Sequence, residues 1–66
     1  MIAVVNGEQR HIDEGMSLGA LLRSLAIGIA GIAVAVNGRV VSRTALEHYC
    51  LQDGDAIEIV RAVAGG

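Results

Sequence analysis

Aromatic residues are almost missing from this chain, which has Tyr49 but no Phe and no Trp. Stacking platforms for bases or sugars are therefore lacking, which counts against single-stranded nucleic-acid modules that depend on them. Lysine is absent altogether. The basic residues are Arg10, Arg23, Arg39, Arg43 and Arg61, dispersed along the sequence, and the net charge is −2. No basic stripe for phosphates results, so no nucleic-acid partner is expected. Cysteine is reduced to Cys50, which cannot form an intrachain disulfide and implies a reducing, cytoplasmic compartment. Long hydrophobic runs are missing too. The longest uncharged stretch, Ser24 to Gly38, is cut by glycines and falls short of the roughly 20 apolar residues of a membrane helix, so no membrane partner is expected. Met1 to Asn6 has no basic segment ahead of its apolar residues and reads as structure, not as a signal peptide.

What is present is a dense apolar composition, 53% hydrophobic against 18% charged in 66 residues, which suits one small folded domain. Ile2 to Val5 is an apolar run ending at Asn6-Gly7, the strongest two-residue hairpin signal, because both positions accept positive φ. Its return strand, Glu8 to Ile12, is polar and suits a sheet edge. Ser17 stands where a helix N-cap belongs, and Leu18, Leu21, Leu22 and Leu25 recur at i, i+3, i+4 and i+7. A helix is expected over Leu18 to Ile27, with Met16 and Leu21 spaced as a hydrophobic staple and Gly28 as a left-handed stop.

Beyond the helix, Ile32, Val34 and Val36 alternate with Ala33 and Ala35, giving a strand with one branched face and one shallow face. A second Asn-Gly, Asn37-Gly38, turns it into Arg39 to Val41. Thr44 to Leu51 reads as a short helical turn and connector over the core edge, and Asp53-Gly54-Asp55 as a turn into a last strand, Ala56 to Val60. The first and last strands alternate least, so they are expected to be central and buried on two sides. This order of elements gives an α+β domain, one helix on one sheet. Residues 1–60 form the domain and residues 61–66 a flexible C-terminal tail.

Few side chains offer chemistry. His11, His48 and Cys50 are the only strong nitrogen or sulfur donors, fewer than the four ligands of a closed zinc site, so no metal site is expected. His48 reads as a surface residue and Cys50 as a small, buried, unreactive thiol. One helix over one sheet leaves no room for a deep pocket, so no catalytic residues are assigned and the chain is read as a non-enzyme. Gly65-Gly66 is different in kind. At an average glycine frequency of about 7%, such a pair ends roughly 0.5% of chains by chance, so a purpose is the better reading. A diglycine end is slender enough for a narrow channel and carries an α-carboxylate that a partner could activate as an acyl-adenylate.

Three stretches together carry a resemblance: Ala35-Val36-Asn37-Gly38-Arg39-Val40-Val41, Leu51 through Val60 with its Asp-Gly-Asp turn, and the end Ala62-Val63-Ala64-Gly65-Gly66. On these the sequence resembles the ubiquitin-like sulfur carriers, most closely the ThiS sulfur carriers of thiamine (thiazole) biosynthesis. Ser42 departs from the pattern, standing where that family usually has proline. The resemblance implies a β-grasp fold, a mixed four- to five-stranded sheet on one main helix, with first and last strands parallel at its centre. It further implies that the chain is a protein cosubstrate with no bound cofactor. A ubiquitin-activating-type adenylyltransferase would use ATP and magnesium to adenylate Gly66. Sulfur from a donor such as a cysteine desulfurase would convert Gly66 to a thiocarboxylate, and thiazole synthase would consume it. Arg61, Ala62, Val63 and Ala64 would then form the arm entering partner active sites, with Gly65 giving clearance. The small subunit of molybdopterin synthase, with the same tail chemistry, and a ubiquitin-like protein modifier are the alternatives. As a family the former favours prolines before its terminal glycines, and this chain has none. Ala33 and Ala35 would leave a low apolar surface for docking, a feature that strand packing explains equally well.

Overall fold

A computed structural model describes residues 1–61. Strands β1 (Ile2–Val5) and β2 (Glu8–His11) form the first hairpin, followed by helix α1 (Leu18–Ser24). Strands β3 (Ile32–Val36) and β4 (Arg39–Val41) form the second hairpin, then a 3-10 turn (Arg43–Ala45) leads through a connector to β5 (Ala56–Arg61). The sheet order is β2-β1-β5-β3-β4, with β1 and β5 parallel and the other pairs antiparallel. The first and last strands are thus central neighbours, and the arrangement is the ubiquitin-like β-grasp.

Both hairpins turn where the sequence places them. Asn6 and Asn37 take φ of 49° and 52°, each followed by a glycine with positive φ. Asparagine tolerates this left-handed region better than most residues because its short polar side chain can hydrogen-bond locally. All four β2 residues are exposed, as a polar edge strand requires.

The core lies between α1 and one face of the sheet. Leu18, Leu21 and Leu22 pack with Ala3, Val5, Val34, Val36 and Ile57, and Leu46 and Leu51 of the connector close the edge. Ile32, Val34 and Val36 face the helix as the alternation predicts, and Ile57 and Ile59 share that face. The opposite face is open, which corrects the expectation of two-sided burial: Ala56, Glu58 and Val60 of β5 are exposed. A single helix covers only one side of a sheet, so even the central strand keeps one face in water.

The start of α1 is fully served. Ser17 Oγ accepts from Ala20 N–H at 3.0 Å, while Leu18 N–H and Gly19 N–H donate to the carbonyls of Tyr49 and Leu46 at 2.8 and 2.9 Å. The connector therefore supplies the acceptors that a helix N-terminus otherwise lacks. The helix ends earlier than expected, at Ser24 with Leu25 as its cap. Ala26, not Gly28, takes the left-handed position, with φ of 58°. Ala26 N–H donates to Arg23 C=O and Ile27 N–H to Leu22 C=O, at 3.0 and 2.9 Å, which together form a Schellman stop. The physical reason is Ile27. At about 100° per residue a continuing helix would carry it to the side opposite Leu18 and into water; the early stop returns it to the core, where it packs.

Candidate functional site

Of the residues singled out for the tail, Ala62, Val63, Ala64, Gly65 and Gly66 lie outside the described residues. The structure does define the place from which they start. Strand β5 runs one residue further than expected, to Arg61, so the base of the proposed arm is still part of the sheet. Arg61 pairs with Ile32, the first residue of β3.

The strand is held at both ends by asparagine side chains from the two turns. At its entry Asn37 Oδ1 accepts from Ala56 N–H at 3.0 Å, and Asn37 N–H donates to Ala56 C=O at 2.8 Å. Asn37 Nδ2 also donates to Asp55 Oδ1 at 3.0 Å, and Asp55 Oδ2 accepts from Gln52 N–H at 2.8 Å. Asp55 is only 7% exposed, the one buried charged residue type among those described, and both of its oxygens are bonded. The Asp-Gly-Asp turn is tied to β1 as well. Ile2 N–H donates to Asp53 Oδ1 at 2.8 Å, and Gly54 N–H to Ile2 C=O at 2.7 Å.

Toward its exit, β5 meets Asn6. Ile59 N–H donates to Asn6 Oδ1 at 2.8 Å, and Asn6 Nδ2 approaches Ile59 C=O at 3.4 Å. Reading the sequence identifies Asn6 and Asn37 only as turn formers and misses these second roles. No local signal reveals them, since Asn6 and Ile59 are 53 positions apart.

Beside the tail's origin lies the uncovered sheet face. Val60 and Val40 are 60% and 78% exposed, Val60 opposite Ala33 and Val40 opposite Ala35 in the strand registers. The expected shallow alanine surface is present, with two exposed valines beside it. Cys50 requires correction: it is exposed, not buried. Tyr49 and Leu51 on either side of it turn toward the core, and the alternation of an extended chain sends Cys50 outward. His48 is exposed as expected. No cluster of metal-ligating side chains is found among the described residues.

On the helix side, Arg23 and Glu47 form an exposed ion pair. The hydrogen bond from Arg23 is the main cause holding the Glu47 carboxyl below the usual carboxylate range, and the same bond raises Arg23. The Glu47 carboxylate lies against Gly19, where an added Cβ would sit 2.6 Å from Oε1. Glycine there lets the connector come close to the helix.

Comparison with known proteins agrees with this architecture. Residues 3–66 match the ThiS family model. The chain is 32% identical to the sulfur carrier protein ThiS of Escherichia coli over all 66 residues and the whole of that protein. It is also 32% identical to ThiS of Thermus thermophilus over 94% of this chain and 95% of that one. The crystal structure of the thiamine biosynthesis protein ThiS from Geobacter metallireducens superimposes with a TM-score of 0.85 at 33% identity, covering all of both chains. The chain is also 35% identical to the thiazole synthase of Paramagnetospirillum magneticum, of whose length it spans only 20%. The family-model match over residues 3–66 and the match to the whole of a ThiS protein place this chain in the ThiS family.

Proposed function

We propose that this chain is a sulfur carrier of thiamine biosynthesis, a protein cosubstrate rather than an enzyme, acting in the cytoplasm. The observation that carries the reading is full-length similarity to proteins named sulfur carrier protein ThiS, in a chain that ends in Gly65-Gly66. In this scheme the Gly66 carboxylate attacks the α-phosphorus of ATP in a ubiquitin-activating-type adenylyltransferase and releases pyrophosphate. ATP and magnesium belong to that partner. The terminal sulfur of a donor persulfide, such as that of a cysteine desulfurase, then attacks the acyl-adenylate and expels AMP. A thiol cleaves the resulting acyl disulfide and is itself oxidised to a disulfide, leaving a thiocarboxylate on Gly66. Thiazole synthase is the proposed acceptor. This step draws support from the likeness between the chain and a fifth of proteins bearing that name.

The fold supports a division of labour. Residues 2–61 build a small holder around one core, and Gly65, Ala64, Val63 and Ala62 carry no bulky polar group that would obstruct a narrow channel. The open face bearing Ala33, Ala35, Val40 and Val60 is where a partner would grip, next to the tail's origin. The test is co-expression with the adenylating enzyme and a sulfur donor, followed by intact-mass measurement. The expected species gains the mass of one sulfur replacing one oxygen, and deletion of Gly66 abolishes it while leaving the circular dichroism unchanged. Isopeptide linkage of Gly66 to other proteins would instead establish a modifier, and an unmodified tail would overturn the carrier reading.

A further inference from the structure

The β1–β5 ladder contains just two residue pairs, Val4 with Ala56 and Val5 with Ile57. After Val5 the chain turns away at Asn6-Gly7, whereas β5 continues to Arg61. On the other edge β3 accompanies β5 as far as Arg61. Beyond Ile57, β5 therefore has no β1 partner, and Asn6 supplies the contacts to that edge. Its backbone N–H donates to Ile57 C=O at 2.9 Å, and its side-chain amide meets the N–H and C=O of Ile59, the next groups on that edge. A primary amide offers one acceptor and one donor in a plane, as a peptide group does. The Asn6 side chain thus supplies the rung that a longer β1 would have supplied.

Building on the carrier reading, we propose that Asn6 is a positioning residue for Gly66: it fixes the direction in which the chain leaves the sheet. Seven residues, Val60 to Gly66, follow Ile59. Extended in a partner's channel they span about 23 Å, so a tilt of about 10° at Ile59 displaces the tip by about 4 Å. Misplacements of about 1 Å can cost on the order of a hundredfold in rate. Asn6 is exposed and adds nothing to the core, so its side chain can be removed without opening a cavity.

The experiment uses the full chain with Asn6→Gly, which accepts the positive φ but lacks the amide, and Asn6→Asp, which keeps the acceptor for Ile59 N–H. Three readouts are taken: thermal unfolding, hydrogen exchange at the Ile59 amide, and ATP–pyrophosphate exchange by the adenylating enzyme with the chain as substrate. For Asn6→Gly the Ile59 amide is expected to exchange several-fold faster, in keeping with loss of one hydrogen bond. Its kcat should fall about tenfold while KM changes less than about twofold, because the docking face is untouched. Asn6→Asp should recover most of kcat. Should Asn6→Gly fail to fold, Asn6→Asp and Asn6→Ser are compared in the same way, and the serine variant, too short to span the gap, should be the slower. Kinetics unchanged in a folded variant whose Ile59 amide is deprotected overturn the proposal alone. A wild-type chain that supports no exchange overturns the carrier reading and this proposal together.

Discussion

The two Asn-Gly turns begin with the same dipeptide and the same left-handed asparagine, yet they hold opposite ends of the same strand in different surroundings. Asn37 works at the entry of β5, where its exposed bond to Ala56 N–H adjoins partly buried bonds joining it to Asp55, and Asp55 to the backbone of Gln52. The Asn6 side chain works near the exit, in an exposed pair of contacts to Ile59. A hydrogen bond to a buried group is costly to remove because water cannot readily replace the lost partner, whereas an exposed one is largely replaced by solvent. The entry network therefore serves stability, and the exit contact serves the direction of the tail.

The largest effect expected is at the buried centre of the entry network. Asp55→Ala deprives Gln52 N–H and the Asn37 amide of acceptors and should cost about 2–3 kcal/mol in urea-induced unfolding. A loss below about 0.5 kcal/mol would break the distinction between the two ends. Next come the paired variants Asn37→Gly and Asn6→Gly, which preserve the turn backbone. The first should cost about 1–1.5 kcal/mol and the second no more than about 0.5 kcal/mol by the same measurement, while only the second alters adenylation kinetics through the tail's direction.

Ala26 sharpens the comparison from outside the sheet. It holds a left-handed φ like the two asparagines but has no polar side chain to compensate. Ala26→Gly should accordingly raise stability by about 0.5–1 kcal/mol, read as an increased urea midpoint at constant m-value. The smallest effect belongs to the exposed pair on the helix side. Because Arg23 lowers the folded pKa of Glu47, the pair stabilises above the carboxyl's unfolded value of about 4.3. That contribution disappears as pH falls through the lower folded value. Glu47→Gln should therefore slightly reduce the melting temperature at neutral pH, and the difference from wild type should vanish in acid.

Much of the architecture is legible in local pattern. The spacing of Leu18, Leu21 and Leu22 marks the helix face, the alternation of Ile32, Val34 and Val36 marks an inward strand face, and Ser17 marks the helix start. The helix end is not legible, because Gly28 is the better stop by local preference and loses to Ile27, whose burial requires the turn two residues earlier. Cys50 departs from expectation for a related reason. Its composition class favours burial, but its placement between the inward-facing Tyr49 and Leu51 decides otherwise.

The candidate site divides along the same line. Gly65-Gly66, outside the described residues, is singled out from sequence because the proposed reactive group is a backbone carboxylate needing no neighbour. The origin of the tail is not, since it depends on Asn6 reaching Ile59 across nearly the length of the chain. Sequence alone determined the turns and the apolar faces, which follow from the preferences of adjacent residues. Only the tertiary structure decided where the helix stops, which face of the central strand stays open and which side chains hold that strand, because each depends on groups far apart in sequence competing for the same core or the same backbone rung.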